Sequence, residues 1–370
     1  MYLQKLLLTN FKNYPEAALS FSDKINCFIG DNGVGKTNLL DAVYYLSFCK
    51  SYFNPIDTQN IRHDEEFFAI HGTYIKNGDH HDKVSCLQKA NQKKQFKLNQ
   101  KDYDRLADHI GLYPLVMVSP YDSDLINEGS EVRRKFMDGV ISQFDKIYLD
   151  DLLKYNKVLL QRNILLKNFG VSQDYQEAAL EPWDKILSEL GKKLYKSRKE
   201  FITQFQPIFQ EYFEYISGGK EQVSVSYESQ LHDYDLTVLL SSSHDRDRVL
   251  KYTSAGTHKD DLFFELQDRP MKKYGSQGQQ KSFLIAIKLA EFDYIKNIKG
   301  FKPILLFDDI FDKLDDFRVQ QIIKLVSHNS FGQVFITDTQ RHRIEMLFRE
   351  VDIDHKIFEV VNGKVNEIKW

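Results

Sequence analysis

Apolar positions near the amino terminus follow two patterns, one typical of strands and one typical of a helix. From Tyr2 to Leu8, and again from Ala18 to Phe28, apolar residues alternate or run together, and the second run ends at Gly30. Beyond this turn, the positions that recur at helical spacing are Leu39, Leu40, Val43, Tyr44 and Leu46. The pattern predicts a strand that leads through a glycine-rich turn into a helix.

The next part of the chain predicts short strands and then a long helical region. Ala69 to Ile75, Val84 to Leu87 and Phe96 to Leu98 are apolar runs separated by polar turns, which indicates an antiparallel flap. A buried strand is expected from Leu115 to Ser119, and amphipathic helices from about Ser130 to Ile216.

Strand patterns return after the glycine pair at 218–219. The predicted elements are strands at Val223–Tyr227 and at Leu262–Leu266, where the chain is expected to rejoin the core, a helix from Gln279 to about Tyr294, and strands at Ile304–Phe307 and Val334–Ile336. We therefore predict an α/β fold with a mostly parallel sheet, helices on both faces, an antiparallel β flap and an inserted, mostly helical second lobe. The expected boundaries are 1–125 and 221–370 for the two parts of the α/β domain and 126–220 for the inserted lobe.

Composition narrows the functional classes. The 370 residues are 42% hydrophobic and 28% charged, and the net charge of −3 gives no general attraction to nucleic acid, so any contact with DNA needs a local patch. Three cysteines are too few and too scattered for a disulfide framework or a zinc site. No run of about 18 apolar residues is present, so we expect a cytoplasmic protein that does not enter a membrane.

Residues 30–37 match the phosphate-binding pattern G-x-x-x-x-G-K-[ST], and they lie between the predicted strand and helix, which is the context that this motif requires. In such a loop the backbone N–H groups turn towards the phosphates, Lys36 reaches the β and γ oxygens, and the Thr37 hydroxyl helps to hold Mg²⁺. The residues predicted to bind ATP are Gly30, Asp31, Asn32, Gly33, Val34, Gly35, Lys36 and Thr37.

A second chemical motif is the apolar strand that ends in Asp308 and Asp309. The first carboxylate is suited to the Mg²⁺ shell, together with Thr37, and the second is suited to orient an attacking water. Adjacent acids at a strand end also occur in solvated turns, but a phosphate loop in the same chain favours the catalytic interpretation.

Between these motifs, Ser276 and Gly278 stand directly before the predicted late helix. A hydroxyl and free N–H groups at the positive end of a helix form an anion site, although a turn that only caps the helix has the same composition. The order phosphate loop, S-Q-G-Q-Q turn, Asp-Asp strand and Leu314-Asp315 resembles the Walker A, signature, Walker B and D-loop order of ABC ATPases. The resemblance implies that the predicted α/β domain, 1–125 with 221–370, is an ABC-type P-loop ATPase head.

The resemblance extends to the RecF family over essentially the whole chain. The segments that carry it are Phe11–Tyr14, Arg133–Asp138, Gln161–Asn163, Thr253–Leu262 and Ser276–Gln280. It implies an ATP-closed homodimer in which the signature turn of one subunit, with Ser276 and Gly278, covers the γ-phosphate at the Walker A loop of the other. It also implies binding to DNA at single-strand gaps and duplex junctions, action with RecO and RecR to load RecA, and support for replication restart and the SOS response.

Departures from common ABC sequences predict slow ATP hydrolysis that acts as a switch, and the family resemblance implies that this weak ATPase is stimulated by DNA. Asp309 replaces the usual Glu, Thr337–Thr339 lacks the usual switch His, and no Q-loop Gln is evident near Val118–Pro120. Lys12 is expected either to approach the nucleotide or to be solvated. His258, Asp260 and Asp261 match the family pattern without an assigned role, and a metal site built from them is disfavoured by their spacing.

Two basic clusters are candidates for contact with DNA phosphates, although a charged helix face is often only solvated. They are Arg133, Arg134 and Lys135, and separately Lys192, Lys193, Lys196, Arg198 and Lys199. Two other functions remain open on the sequence: a P-loop kinase of a small molecule, and an ABC-type scaffold for protein interaction without affinity for DNA.

Overall fold

The computed structural model describes residues 1–76, 78, 80–172, 177–219, 221–311, 314–327, 331–342, 344 and 353–368. The chain forms two compact units. The first comprises 1–122, 215–218 and 277–370, and the second comprises 123–214 and 219–276. Within the described residues, no helix combines the length and the apolar character needed to cross a membrane.

The strands are β1 (Tyr2–Phe11), β2 (Tyr14–Ser20), β3 (Ile25–Ile29), β4 (Phe67–Lys76), β5 (His80–Lys89), β6 (Gln95–Leu98), β7 (Lys101–Asp102), β8 (Leu115–Val118), β9 (Val223–Glu228), β10 (Asp261–Leu266), β11 (Arg269–Pro270), β12 (Ile304–Phe307), β13 (Val334–Asp338), β14 (His355–Val361) and β15 (Lys364–Ile368). The helices are α1 (Lys36–Phe48), α2 (Asp124–Asn127), α3 (Ser130–Ser142), α4 (Lys146–Ser172), α5 (Glu181–Ser217), α6 (Leu236–Ser242), α7 (His244–Leu250), α8 (Met271–Tyr274), α9 (Gln277–Lys299) and α10 (Asp316–Ser327).

The first unit contains a mostly parallel sheet whose described strands follow the order β15-β14-β3-β13-β12-β8. All neighbouring pairs are parallel except β14 with β15. Strands β3, β8, β12 and β13 are buried along their whole length, as expected for parallel strands covered on both faces. Because parallel strands share one carboxyl edge, the ends of β3, β12 and β13 bring the phosphate loop, Asp308 and Thr337 to the same edge of the sheet.

The predicted antiparallel flap is present in the same unit, with strand order β2-β1-β4-β5-β6-β7. The run from Ala18 to Phe28 includes the end of β2 and most of β3, and the polar residues 22–24 separate the two strands. One hydrophobic core joins residues of the flap, of α1 and of the parallel sheet. The predicted fold class, an ABC-type ATPase head with a β flap, is therefore confirmed.

The second unit contains α3, α4 and α5 and also a three-stranded antiparallel sheet, β11-β10-β9. The expectation that Leu262–Leu266 rejoins the ATPase core is wrong, because β10 pairs with β9 and β11. In β9 and β10 buried residues alternate with more exposed ones, which suits a sheet covered on one face and not a fully buried parallel strand. The second unit accordingly extends to Ser276, beyond the boundary expected at 220.

Candidate nucleotide site

The phosphate loop connects β3 to α1, and its glycines are required by close backbone approaches. Gly35 has φ +110°, and a Cβ there would lie 2.3 Å from Nδ2 of Asn13. Gly30 has φ +152°, and a Cβ there would lie 2.4 Å from the carbonyl oxygen of Val360 on β14. Residues with a side chain rarely adopt these conformations, so only glycine fits both positions.

The ammonium group of Lys36 lies over the loop in which it occurs. Lys36 is 4% exposed, and its Nζ donates to the carbonyl oxygens of Gly30 and Asp31, both at 2.8 Å. Asp31, Asn32 and Gly33 are exposed. A cation held above a solvent-facing loop at the amino terminus of α1 is an arrangement that fits the phosphates of ATP.

Two residues that support the loop had no role assigned from the sequence. Asn13 Nδ2 donates to the carbonyl of Val34 at 2.9 Å, and the buried Tyr14 hydroxyl donates to the carbonyl of Gly35 at 2.9 Å. Their position in the Phe11–Tyr14 landmark was the only sequence signal for them. Side chains at the turn between β1 and β2 therefore hold two carbonyl groups of the phosphate loop in place.

The alternative of a solvated Lys12 is wrong, because its side chain is largely buried and paired with an acid. Its Nζ lies 2.6 Å from a carboxylate oxygen of Asp41, which is fully buried on α1, and the Lys12 side chain is 14% exposed. The same Nζ lies over the rings of Phe11 and Phe53, at 5.6 and 5.4 Å from their centroids. Lys12 thus neutralises a buried acid behind the nucleotide site.

The predicted metal-binding pair is assembled in the structure. The Thr37 hydroxyl donates to Asp308 Oδ1 at 2.9 Å and lies 3.1 Å from Oδ2, although 271 positions separate the two residues. Burial raises the pKa of Asp308 to about 6, and hydrogen bonds from Thr337 and Thr37 oppose this shift. A hydroxyl and a carboxylate at this distance are the hard oxygen ligands that Mg²⁺ prefers, so these residues fit the metal that accompanies ATP.

Asp309, the candidate for orienting water, has a left-handed backbone with φ +44° and is half-buried. Its N–H donates to Thr337 Oγ1 at 3.0 Å, and its carbonyl accepts from Lys281 Nζ at 3.3 Å. Lys281 belongs to the first turns of α9, so the helix after the signature turn contacts the end of the Walker B strand.

The signature residues lie at the start of α9. Ser276 is exposed and directly precedes the helix, and the Gly278 carbonyl accepts from the Ser282 hydroxyl at 2.9 Å. A Cβ on Gly278 would lie 3.8 Å from Nη1 of Arg318, and that nitrogen is also 2.5 Å from the D-loop carboxylate of Asp315. Signature and D-loop are therefore neighbours, while the role of Ser276 and Gly278 at a γ-phosphate stays a prediction.

Two of the arginines expected to contact DNA instead bind carboxylates within the second unit. Arg133 forms a two-pronged pair with Asp261, at 2.6 and 3.0 Å. The buried Arg198 donates to Asp138 at 2.9 Å and to Asp260 at 2.8 Å. The assignment of Arg133 and Arg198 to DNA phosphates is therefore wrong, because both guanidinium groups already have charged partners inside the fold.

The landmark residues His258, Asp260 and Asp261 belong to the same polar interior. His258 Nδ1 lies 2.8 Å from the Tyr155 hydroxyl, and its Nε2 lies 3.0 Å from the carbonyl of Thr253. Burial lowers the pKa of His258 to about 4, so the ring is neutral at pH 7. These contacts give the three residues a structural role, and among the described residues no cluster of His, Cys, Asp or Glu could hold a metal ion.

The lysines of the two clusters remain available at the surface. Lys192 pairs with Asp235 at 2.7 Å and Lys135 with Glu131 at 2.6 Å, but all four side chains are largely exposed. Lys193, Lys196 and Lys199 are also exposed on α5. Exposed ion pairs are weak, so these lysines can exchange a carboxylate for a phosphate.

Comparison with known proteins agrees with this geometry. The sequence model of the RecF/RecN/SMC N-terminal domain matches residues 2–364. The chain is 52% identical over 370 residues to the DNA replication and repair protein RecF of Phocaeicola vulgatus, covering 100% of this chain and 99% of that protein. It is 52% identical over 360 residues to the same-named protein of Flavobacterium johnsoniae, covering 97% and 100%.

The chain belongs to the RecF family. A solved structure of the recombination mediator protein RecF with ATP superimposes with a TM-score of 0.89 at 29% identity, covering 100% of this chain and 98% of that one. An Smc head bound to the C-terminal winged-helix domain of ScpA superimposes with a TM-score of 0.59 at 17% identity, which shows a shared fold. The RecF resemblance of the landmark segments is thus confirmed.

Proposed function

We propose that this chain is an ATP-dependent switch of DNA replication and repair that closes as a homodimer over nucleotide. The observation that carries the proposal is the convergence of Lys36, Thr37 and Asp308 at one edge of the parallel sheet. Lys36 would bind the phosphates, and Thr37 and Asp308 would hold Mg²⁺, which supplies charge neutralisation for phosphoryl transfer when bound. The relatives named RecF and the solved RecF with ATP support this assignment.

Hydrolysis in this proposal is slow and limits the lifetime of the closed state. Asp309 supplies a shorter carboxylate than the Glu common in ABC ATPases, and the segment Thr337–Thr339 contains no switch His. We infer weak, DNA-stimulated ATPase activity, in which ATP binding closes the dimer and hydrolysis releases it. The exposed position of Ser276 and the partly exposed position of Gly278 are compatible with capping the nucleotide of a second subunit.

Binding to DNA at single-strand gaps and duplex junctions is part of the same proposal, as is action with RecO and RecR to load recombinase in the cytoplasm. Replication restart and the SOS response would depend on this loading. The exposed lysines of α5 are the candidate phosphate contacts. Since a near-neutral chain offers few such contacts, affinity should depend strongly on salt, and dimer closure would double the contacts.

The first test is the molar mass in solution, measured by light scattering with and without Mg-ATP. The native chain should convert from monomer to dimer with Mg-ATP, whereas Lys36→Met, which loses the phosphate contact, and Ser276→Arg, which blocks the signature turn, should stay monomeric. Lys196→Met is a matched control, because it removes an exposed lysine that belongs to the second unit and not to the phosphate loop. A native chain that binds ATP and remains monomeric at every concentration would favour a kinase or another single-subunit function.

A further inference from the structure

Thr337 lies at a point in the parallel sheet where it can act on both acids of the Walker B strand. It stands near the carboxyl end of β13, and β13 lies between β3, which leads into the phosphate loop, and β12, which leads into Asp308. Thr337 is fully buried. A hydroxyl in this interior position needs hydrogen-bond partners, and the structure supplies two.

The Thr337 hydroxyl contacts a side chain and a backbone group at once. It donates to Asp308 Oδ1 at 2.8 Å and accepts from the N–H of Asp309 at 3.0 Å. One hydroxyl has one hydrogen and two lone pairs, so both bonds can form together. The same Asp308 oxygen also accepts from Thr37, which places the three residues in one chain of hydrogen bonds.

The contact with Thr337 helps to hold the backbone conformation of Asp309. Its φ of +44° is uncommon for a residue with a side chain, and such conformations persist where neighbouring groups hold them. Thr337 holds the N–H of Asp309 and Lys281 holds its carbonyl. The direction in which the second carboxylate leaves the strand therefore depends on the Thr337 hydroxyl.

We propose that Thr337 is a positioning residue, whose hydroxyl orients the Asp308 carboxylate for Mg²⁺ and fixes the backbone from which Asp309 projects. This inference rests on the proposed ATP-dependent function and extends it to a residue that contacts the metal ligand. Groups that orient a metal ligand typically change metal affinity or activity by about 10–100-fold when removed.

The test compares Thr337→Val, which keeps the shape and removes the hydroxyl, with Thr337→Ser, which keeps the hydroxyl. Thr73→Val on β4 of the flap is a matched control for the loss of a threonine hydroxyl in a strand of the same unit. Equilibrium binding of a fluorescent ATP analogue is measured with and without Mg²⁺, and steady-state hydrolysis over a range of Mg-ATP concentrations gives kcat and KM separately.

Without Mg²⁺, Thr337→Val should bind nucleotide with the same affinity as the native chain. With Mg²⁺, its affinity for nucleotide should be lower than that of the native chain by about tenfold or more. Its kcat should fall by a larger factor than its KM changes. Thr337→Ser should recover most of both quantities, and Thr73→Val should match the native chain. The inference is overturned if Thr337→Val keeps the native Mg²⁺ dependence, or if Thr337→Ser is as defective as Thr337→Val. A native chain that binds no ATP under either condition would instead overturn the proposed function on which the inference rests.

Discussion

Replacing Arg198 by Met tests whether the arginines of the second unit serve the fold or the DNA. Arg198 lies on α5 and is 2% exposed, and its guanidinium binds Asp138, Asp260 and the carbonyl of Thr257. Met fills a similar length but leaves two carboxylates without their cation. Lys196→Met, two residues earlier on the same helix, makes a comparable change at an exposed position.

The expected loss of stability in Arg198→Met depends on the hydrogen bonds that Asp138 and Asp260 keep. Removing one partner of a buried ion pair typically costs about 3–5 kcal/mol, because the other charge stays buried. Tyr227 still donates to Asp260 at 2.6 Å, and Tyr148 still donates to Asp138, so part of the negative charge remains hydrogen-bonded. We therefore expect Arg198→Met to lower the unfolding free energy of the second unit by about 3 kcal/mol, and Lys196→Met to change it by less than about 0.5 kcal/mol.

The sequence contains two tryptophans, which makes a local measurement possible. Trp183 lies on α5 in the second unit, so a Trp370→Phe background leaves its fluorescence as a reporter of that unit during urea unfolding. Binding to duplex DNA is measured over a salt series at low urea, where both variants are folded. If Lys196 contacts a phosphate, its loss should reduce the salt slope by about 0.9, whereas Arg198→Met should keep the native slope. An Arg198→Met chain that is as stable as Lys196→Met, yet has lost DNA affinity, would refute the structural assignment.

Three further substitutions test the loop and the core of the first unit. Gly35→Ala should weaken ATP binding by at least about tenfold, and by more than Gly33→Ala does. A Cβ at Gly35 would meet Asn13, whereas a Cβ at Gly33 meets nothing within 4 Å. Isothermal titration calorimetry measures both affinities, and equal effects of the two substitutions would contradict this reasoning. Burial lowers the pKa of His109 from 6.5 to about 4, so the native state binds fewer protons than the unfolded state below pH 6.5. Acidification from pH 7 to 5 should therefore lower the free energy of unfolding by about 2 kcal/mol, and His109→Gln should not show this loss. Urea midpoints at both pH values measure it, and an unchanged pH dependence in His109→Gln would argue against a neutral ring. Lys288→Met should destabilise the chain by about 3–5 kcal/mol in thermal denaturation, since the buried Lys288 lies 3.2 Å from Glu291 and its loss leaves that charge buried. Adding Glu291→Gln should recover part of the loss, and a loss below about 1 kcal/mol in the single variant would contradict the importance of this ion pair.

Elements whose pattern reflects local geometry could be predicted from the sequence. The phosphate loop, α1 and the strand before it follow from hydrophobic period and from a motif whose spacing is set by backbone geometry. The pairing of Thr37 with Asp308 was also predicted, because both residue types have a known task at a phosphate site. These inferences needed no knowledge of distant packing.

Features that depend on strand pairing or on long-range contacts could not be predicted. The alternating pattern of Leu262–Leu266 fits either unit, and only its pairing with β9 and β11 assigns it to the second. From the sequence, Lys12 could be a solvated lysine, and only the structure shows Asp41 beside it. No role could be assigned to Thr337 from the sequence, and only the structure shows its hydroxyl between Asp308 and Asp309. In each case the missing information is a partner far away in the sequence.

The buried arginines change how the net charge should be interpreted. Arg162 is fully buried against Asp184 and Asp247, at 2.6 Å from each, and Arg198 is buried against Asp138 and Asp260. Buried charges of this kind are retained only with partners, since desolvation is costly, so they add nothing to the field that DNA would meet. The charges open to an external polyanion include exposed lysines of α5 such as Lys192 and Lys196, and ion pairs of exposed lysines are weak. If ATP closes two subunits together as proposed, the number of exposed lysines that can contact DNA doubles, which would give ATP binding a direct physical route to DNA affinity.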